Sequence, residues 1–334
     1  MADPGAAGAA APSEPPAPTP IRRPRRPSPE FRRPRRLQRK SRLSIAVVDA
    51  LSWVVDALPT PVRNWGADRA GDVWIRLTPA YRASVVANIG QVVGPRVPLA
   101  EKERMARNIF RITARNFADL FRAPRMSRDE LVRSLPIVDG DWAYLDEPLA
   151  RGQGVVLVSA HLGAFDFIGH VLAARGYPLT TVTGRTTSRF LFDAATWLRQ
   201  KGGMDMAEAS PSGVRKVILA LRKGEVAAFV ADYDLFQNGL PVRFFGRETT
   251  LPPGPVRIAR DTGAVIVGAF ARRVGDGYAL TLTPPFSPPK TRDLDADLAA
   301  GMAMVAERLE RAIAASVDQW VMFQRVWPDE GGRG

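Results

Sequence analysis

The sequence predicts an α/β fold: a mixed, largely parallel sheet flanked by helices, preceded by a helical N-terminal region. Three observations predict it. Short, wholly apolar runs, GVVLVSA (154–160), VAAFVA (226–231) and AVIVGAF (264–270), have the length and composition of strands covered on both faces. Helical patterns alternate with these runs through the middle of the chain. Residues 65–135, in contrast, read as helices broken by loops. With 334 residues, 46% of them hydrophobic, the chain has ample material for a core.

The elements follow in order. Residues 1–20 are mostly Ala, Pro, Gly, Ser and Thr, and ten of the 29 prolines precede position 35. Such a stretch buries too little apolar surface to offset its ordering entropy, so residues 1–42 read as a disordered tail. The basic residues follow the Ala/Pro stretch and no apolar segment precedes a cleavage site, so it is not a secretory signal. The tail carries eleven basic and three acidic side chains, hence eight of the thirteen net positive charges. Residues 43–58 form an amphipathic helix stopped by Pro59 and Pro61. Leu43, Val47, Leu51, Val54 and Leu58 lie on one face, and Asp49 and Asp56 on the other. The stretch is too short and too polar to span a membrane. It reads either as a helix packed on the domain or as a membrane-surface helix. In the second case the arginines before it would face anionic lipid.

Met105, Ile109, Ile112, Phe117 and Leu120 recur at near-helical intervals within 101–121. After the strand at 154–160 come a helix (163–175), a strand LTTVT (179–183), helices at 188–201 and 211–223, and the strand at 226–231. A short helix (255–262) precedes a hairpin of AVIVGAF with YALTLT (278–283), turning at Gly275-Asp276-Gly277. Leu294, Leu298, Met302, Val305, Leu309, Ile313 and Val317 trace one face of a C-terminal helix over 294–318. The division is a tail (1–42) and one domain (43–330). That domain has a helical part to 150, an α/β core over 151–290 and the terminal helix.

Absences narrow the chemistry. Without cysteine there is no disulfide, thiolate nucleophile, Cys zinc site or Fe–S cluster. Two histidines exclude a His-rich metal site and leave only His161 or His170 for imidazole chemistry. No Gly-x-Ser-x-Gly elbow, Walker A loop or Gly-x-Gly-x-x-Gly is present, which counts against serine hydrolases and nucleotide-binding enzymes. The tightest polar constellation is VLVSAHLGAFDFIGH (156–170). His161 falls at the carboxyl end of a buried strand, where ligands of α/β sheets bind. Asp166 lies in the first turn of the next helix. A carboxylate on one ring nitrogen would leave the other to take a proton from a hydroxyl. Spacing alone equally allows a structural pair, or Asp166 paired with His170 four residues on.

Four stretches carry a wider resemblance. They are GVVLVSAHLGAFDFIGHVLAARG (154–176), VAAFVADYDLFQNGLPVRFFGRETTLPPGPVRIARDTGAVIVGAFARR (226–273), DGYALTLTPP (276–285) and DQWVMFQRVWP (318–328). HLGAFD resembles the His-x4-Asp/Glu signature of the lysophospholipid acyltransferase superfamily. Its context resembles the bacterial branch of lipid A (lauroyl/myristoyl) acyltransferases and phosphatidylinositol mannoside acyltransferases. The likeness spans about residues 45–328.

The resemblance implies a glycerol-3-phosphate-acyltransferase-like fold and an O-acyltransferase. Such an enzyme would move a fatty acyl chain from acyl-CoA or acyl carrier protein to a hydroxyl of a membrane glycolipid, without metal or cofactor. It implies His161 as general base and Asp166 as its orienting partner. It further implies substrate binding by Gly163, Arg185, Asp232, Asp234 and Arg247, although Asp232 and Asp234 also fit a supporting role. Backbone N–H groups at the start of the 163–175 helix are expected to receive the oxyanion, with Gly163 giving substrate close access. The expected location is the cytoplasmic face of the cell membrane, peripheral or monotopic. There the basic tail and helix 43–58 would meet the anionic surface. Ala164-Phe165-Asp166 replaces the Asn-Trp-Glu of many relatives and is closer to the mannoside version. The alternatives are a catalytically idle lipid-binding relative, a hydrolase using water as acceptor, and a nucleic-acid binder driven by the tail. The last is disfavoured because the tail has one aromatic, Phe31, and many prolines.

Overall fold

The computed structural model describes residues 39–184 and 189–327, with side chains over 47–184 and 193–327. The tail through residue 38 and Arg185 lie outside the described residues. Five helices come first: α1 (Arg39–Ala57), α2 (Thr60–Leu77), α3 (Pro79–Val93), α4 (Leu99–Arg122) and α5 (Arg128–Ser134). Prolines open α2 and α3, where a missing N–H costs nothing, and Ser127 caps α5 by accepting from Glu130 N–H.

The core follows as β1 (Ile137–Asp139), α6 (Ala143–Ala150), β2 (Val155–Ser159), α7 (Phe165–Arg175), β3 (Leu179–Thr183) and α8 (Arg189–Lys201). Next are β4 (Asp205–Glu208), α9 (Pro211–Arg222), β5 (Val226–Val230), β6 (Leu240–Phe244), β7 (Arg247–Leu251) and α10 (Gly254–Thr262). β8 (Val265–Val274), β9 (Gly277–Leu282) and α11 (Leu294–Ala314) complete it. The seven-stranded sheet has the order β1-β9-β8-β2-β5-β3-β4 and is parallel except at the β8–β9 hairpin. β6 and β7 pair separately as an antiparallel hairpin.

Every residue of β2 is buried, as its unbroken apolar run predicts. Val155 and Leu157 face a layer with Phe167, Ile168, Val171 and Leu172 of α7. Val156 and Val158 face the other way, toward α9, α10 and α11. A third cluster joins Val85 and Ile89 of α3 to Ile109 and Phe110 of α4 and to Val317.

Several expectations are corrected here. Phe117 of α4 is exposed, whereas Phe110, outside the proposed stripe, is fully buried. The terminal helix ends at Ala314, and Val317 sits in a 3-10 turn (Val317–Gln319) that redirects the chain toward the sheet. The helical N-terminal part contributes a strand, since β1 extends the sheet edge beyond β9.

In α1 the apolar stripe predicted from the sequence faces outward from Val47 on; the Leu43 side chain lies outside the described residues. Val47, Leu51 and Val54, with Leu58 just beyond the helix, are exposed. The opposite face packs inward through Val48 against Leu120 and Leu198. Asp49 pairs with Lys201, and Asp56 with Arg122 and Arg125. α2 adds exposed Val62, Trp65, Val73 and Leu77. No helix among the described residues is long and apolar enough to cross a membrane.

Candidate active site

β2 and β5 are parallel neighbours in which Ser159 faces Val230. The chain leaves both strands at the same level, and the Ala231 N–H still donates to Ser159 O at 3.0 Å. Two residues beyond each strand stand His161 and Asp232, so equal offsets bring them side by side at the carboxyl edge of the sheet. His161 Nδ1 is 2.8 Å from Asp232 Oδ1, and the His161 N–H donates to Asp232 Oδ2 at 2.9 Å. One carboxylate thus grips both the ring and the backbone of the same residue.

Asp232 is fully buried, whereas the His161 side chain is 36% exposed. With Nδ1 engaged, Nε2 is the nitrogen left for a substrate. Burial disfavours the imidazolium, but the Asp232 carboxylate outweighs it and holds the His161 pKa above its ordinary value. Burial likewise acts against the charged Asp232, and the facing His161 and its hydrogen bonds keep the carboxyl below the usual range. A residue of this pair can take a proton from an incoming group and return it.

The expected His161–Asp166 pairing is not what the structure contains. Asp166, in the first turn of α7, turns to α8 and accepts from Arg199 Nε and Nη2 at 3.0 and 2.9 Å. Burial works against its charge, and Arg199 reverses the balance, leaving its pKa lowered. Asp232, expected either to bind substrate or to support the site, is the carboxylate that holds the imidazole. Asp234 ties its loop to β7: it accepts from Thr250 Oγ1 at 2.8 Å and from the Gly239 N–H at 2.8 Å. Arg247 begins β7, half-buried, opposite Phe244 at the hairpin tip.

Gly163 is not open to a substrate. It has φ +53°, and a Cβ there would stand 2.3 Å from Ala271 O of β8. Two of the expected amide donors are occupied, Gly163 N–H by Gln319 O at 2.8 Å and Ala164 N–H by Ala271 O at 3.0 Å. His170 is buried on α7 with neither ring nitrogen hydrogen-bonded, and burial pushes its pKa down to about 4.

Residues that spacing could not reveal complete the surroundings. Asn116 of α4 donates to Gly163 O at 2.6 Å and accepts from Arg273 Nη2 at 3.1 Å. Arg273 also pairs with buried Asp119. The segment after α11 crosses the site: Leu162 and Trp320 form an antiparallel bridge, and Val321 N–H donates to His161 O at 2.6 Å. Gln319 exchanges two hydrogen bonds with the Arg273 backbone, and Trp320 Nε1–H donates to Asp232 Oδ2 at 2.8 Å. The only sequence signal for this strap was the DQW triplet (318–320) within the resembling stretches.

An accessible imidazole backed by a buried carboxylate, on the edge of a mostly parallel sheet, suits transfer of a group to a hydroxyl, and the comparisons give that group. The chain belongs to the bacterial lipid A biosynthesis acyltransferase family, whose model matches residues 30–328, and the protein is an acyltransferase. It is 31% identical to a phosphatidylinositol mannoside acyltransferase of Mycobacterium tuberculosis (strain CDC 1551 / Oshkosh) over 64% of this chain and 67% of that one. The protein of the same name from Mycolicibacterium smegmatis is 29% identical over 72% of this chain and 77% of its own. A lipid A biosynthesis acyltransferase of Haemophilus influenzae is 27% identical over 39% and 41%.

Proposed function

We propose that this acyltransferase moves a fatty acyl chain from an acyl thioester, on CoA or on acyl carrier protein, to a hydroxyl of a membrane glycolipid, with His161 as general base. The observation that carries the reading is the 2.8 Å bond between His161 Nδ1 and buried Asp232, which leaves Nε2 for the acceptor. The acceptor hydroxyl is too weak an acid to ionise unaided, so it needs a base during attack. Its oxygen forms a bond to the thioester carbonyl carbon while its proton passes to His161 Nε2. The tetrahedral intermediate expels sulfur, which takes the proton back, so a C–O bond replaces a C–S bond and the imidazole is restored. Asp166 acts through Arg199, tying the first turn of α7 to α8 behind the base.

The acceptor is of the lipid A or phosphatidylinositol mannoside type. The mannoside type is favoured by the names of the relatives with the longest matches and by Asp166 in place of the glutamate of many relatives. The exposed apolar side chains of α1 and α2, following a strongly basic segment, support peripheral or monotopic attachment to an anionic cytoplasmic membrane face. Lipid profiling of a deletion strain tests the reading. A glycolipid lacking one acyl chain names acceptor and chain length together, and complementation with His161→Ala must fail to restore it. Restoration by that variant overturns the mechanism, and an unchanged lipid profile overturns the activity.

A further inference from the structure

Asp232 receives three hydrogen bonds, and one comes from a residue that the acyl-transfer reading does not use. The Trp320 Nε1–H donates to Oδ2 at 2.8 Å, the oxygen that also accepts the His161 N–H. The indole is 1% exposed and wedged among Phe244, Phe245 and Trp327, at centroid distances of 6.5, 6.4 and 6.1 Å. Its backbone bridges Leu162, and the next amide, of Val321, holds His161 O. Two adjacent strap residues, Trp320 and Val321, therefore hold the base through its peptide and through its carboxylate at once. A phenyl ring would fill an apolar pocket without an N–H to satisfy. A buried indole has to place its N–H on an acceptor, and here the acceptor is the carboxylate behind the base.

During proton abstraction the carboxylate must stay an anion. If Asp232 took the proton from Nδ1, or swung away, the imidazole would lose the tautomer that leaves Nε2 bare. A donor on the second oxygen opposes both events. We propose that Trp320 is a positioning residue of the acyl-transfer reaction, fixing Asp232 so that His161 presents an unprotonated Nε2 to the acceptor hydroxyl. The inference rests on His161 being the base. It gives the DQW triplet a role in chemistry as well as in folding.

The test compares Trp320→Phe with Trp327→Phe in the full chain. Trp327 belongs to the same aromatic cluster and donates to Phe244 O at 3.1 Å, away from Asp232. Losing one hydrogen bond to a charged group predicts a kcat about tenfold lower in Trp320→Phe, with KM within about twofold. The acidic limb of its kcat/KM profile moves to higher pH, because an anion with one donor fewer makes the His161–Asp232 pair bind its proton more readily. Asp166 and Arg199, the other charged groups facing the ring, are unchanged. Trp327→Phe loses comparable thermal stability but keeps kcat within about twofold and the same pH profile. Equal kcat losses in the two variants, or an unmoved limb in Trp320→Phe, overturn the proposal. His161→Gln separates the two readings: activity there removes the base itself, whereas an inactive His161→Gln beside an unaffected Trp320→Phe removes only the role of Trp320. If Trp320→Phe does not fold, the indole N–H resonances of 15N-labelled enzyme decide. The one most displaced by Asp232→Asn should titrate with His161, and a flat response overturns the inference.

Discussion

His161 and Asp232, 71 residues apart in sequence, share two hydrogen bonds because β2 and β5 end in register. The carboxylate that matters to the imidazole is therefore on the neighbouring strand, not on the helix that follows the histidine. Asp232→Asn keeps the shape but removes the charge. It is expected to lower kcat by about 10²–10³. Asp166→Asn leaves the part-exposed Arg199 without its partner, and its larger effect is expected on the thermal midpoint, with a loss of about 1.5–3 kcal/mol of stability. Measuring kcat and unfolding for both variants checks the assignment. A larger kcat loss in Asp166→Asn would return the supporting role to the helix.

The pH dependence of activity has a definite sign. To act as the proposed base His161 must be neutral, and Asp232 raises its pKa above the ordinary 6.5. The acidic limb of kcat/KM should therefore lie above 6.5, activity rising with pH through it. In the residual activity of Asp232→Asn the limb should move downward, since the anion that favoured the imidazolium is gone. A limb at the same pH in both proteins would show that another group titrates.

His170 contributes a loss of stability in acid. Its folded pKa of about 4 is below the unfolded value, so between about 6.5 and 4 the unfolded chain binds the extra proton. Stability is fully present above that window, declines as pH falls through it by at most about 3 kcal/mol, and then levels. His170→Leu should flatten this slope in denaturant titrations at pH 7, 5.5 and 4.5, whatever its effect at neutral pH.

The outward stripe of α1 and α2 predicts a surface phenotype. Leu51→Asp with Trp65→Asp alters two side chains that are 46% and 63% exposed, so the thermal midpoint should move little. Co-sedimentation with vesicles containing anionic phospholipid should weaken tenfold or more, as each apolar side chain contributes about 1.5–3 kcal/mol on burial. Undiminished binding would place the contact elsewhere.

What the sequence revealed followed the range of the signal. β2, β5 and β8 were legible because strands covered on both faces are continuous apolar runs, and α7 because Gly176 closes it in the left-handed conformation. The β6–β7 hairpin was missed. Its two-residue turn is Phe245-Gly246, both at positive φ, in place of the Asn-Gly that usually announces such a turn. β1 and β4 were missed as edge strands of three and four residues. In the site, His161 stood out because imidazoles are scarce. Its partner did not, because lateral strand register is absent from local spacing. Asp166 lies five residues away, yet the pitch of α7 turns it to Arg199. α1 does pack on the domain, one of its two readings, but it does so through Val48 on the face opposite the predicted stripe, whose Val47, Leu51 and Val54 stay exposed.

The strap at 319–321 is also the last part of the site in chain order. α1 and α2, with their exposed apolar faces, emerge from the ribosome some 240 residues before Trp320, which at about 5–20 residues per second is roughly ten seconds or more. Through that interval Asp232 lacks its indole donor and His161 its backbone clamp. A chain cut short before Trp320 would carry both residues of the pair and neither of the contacts that fix them.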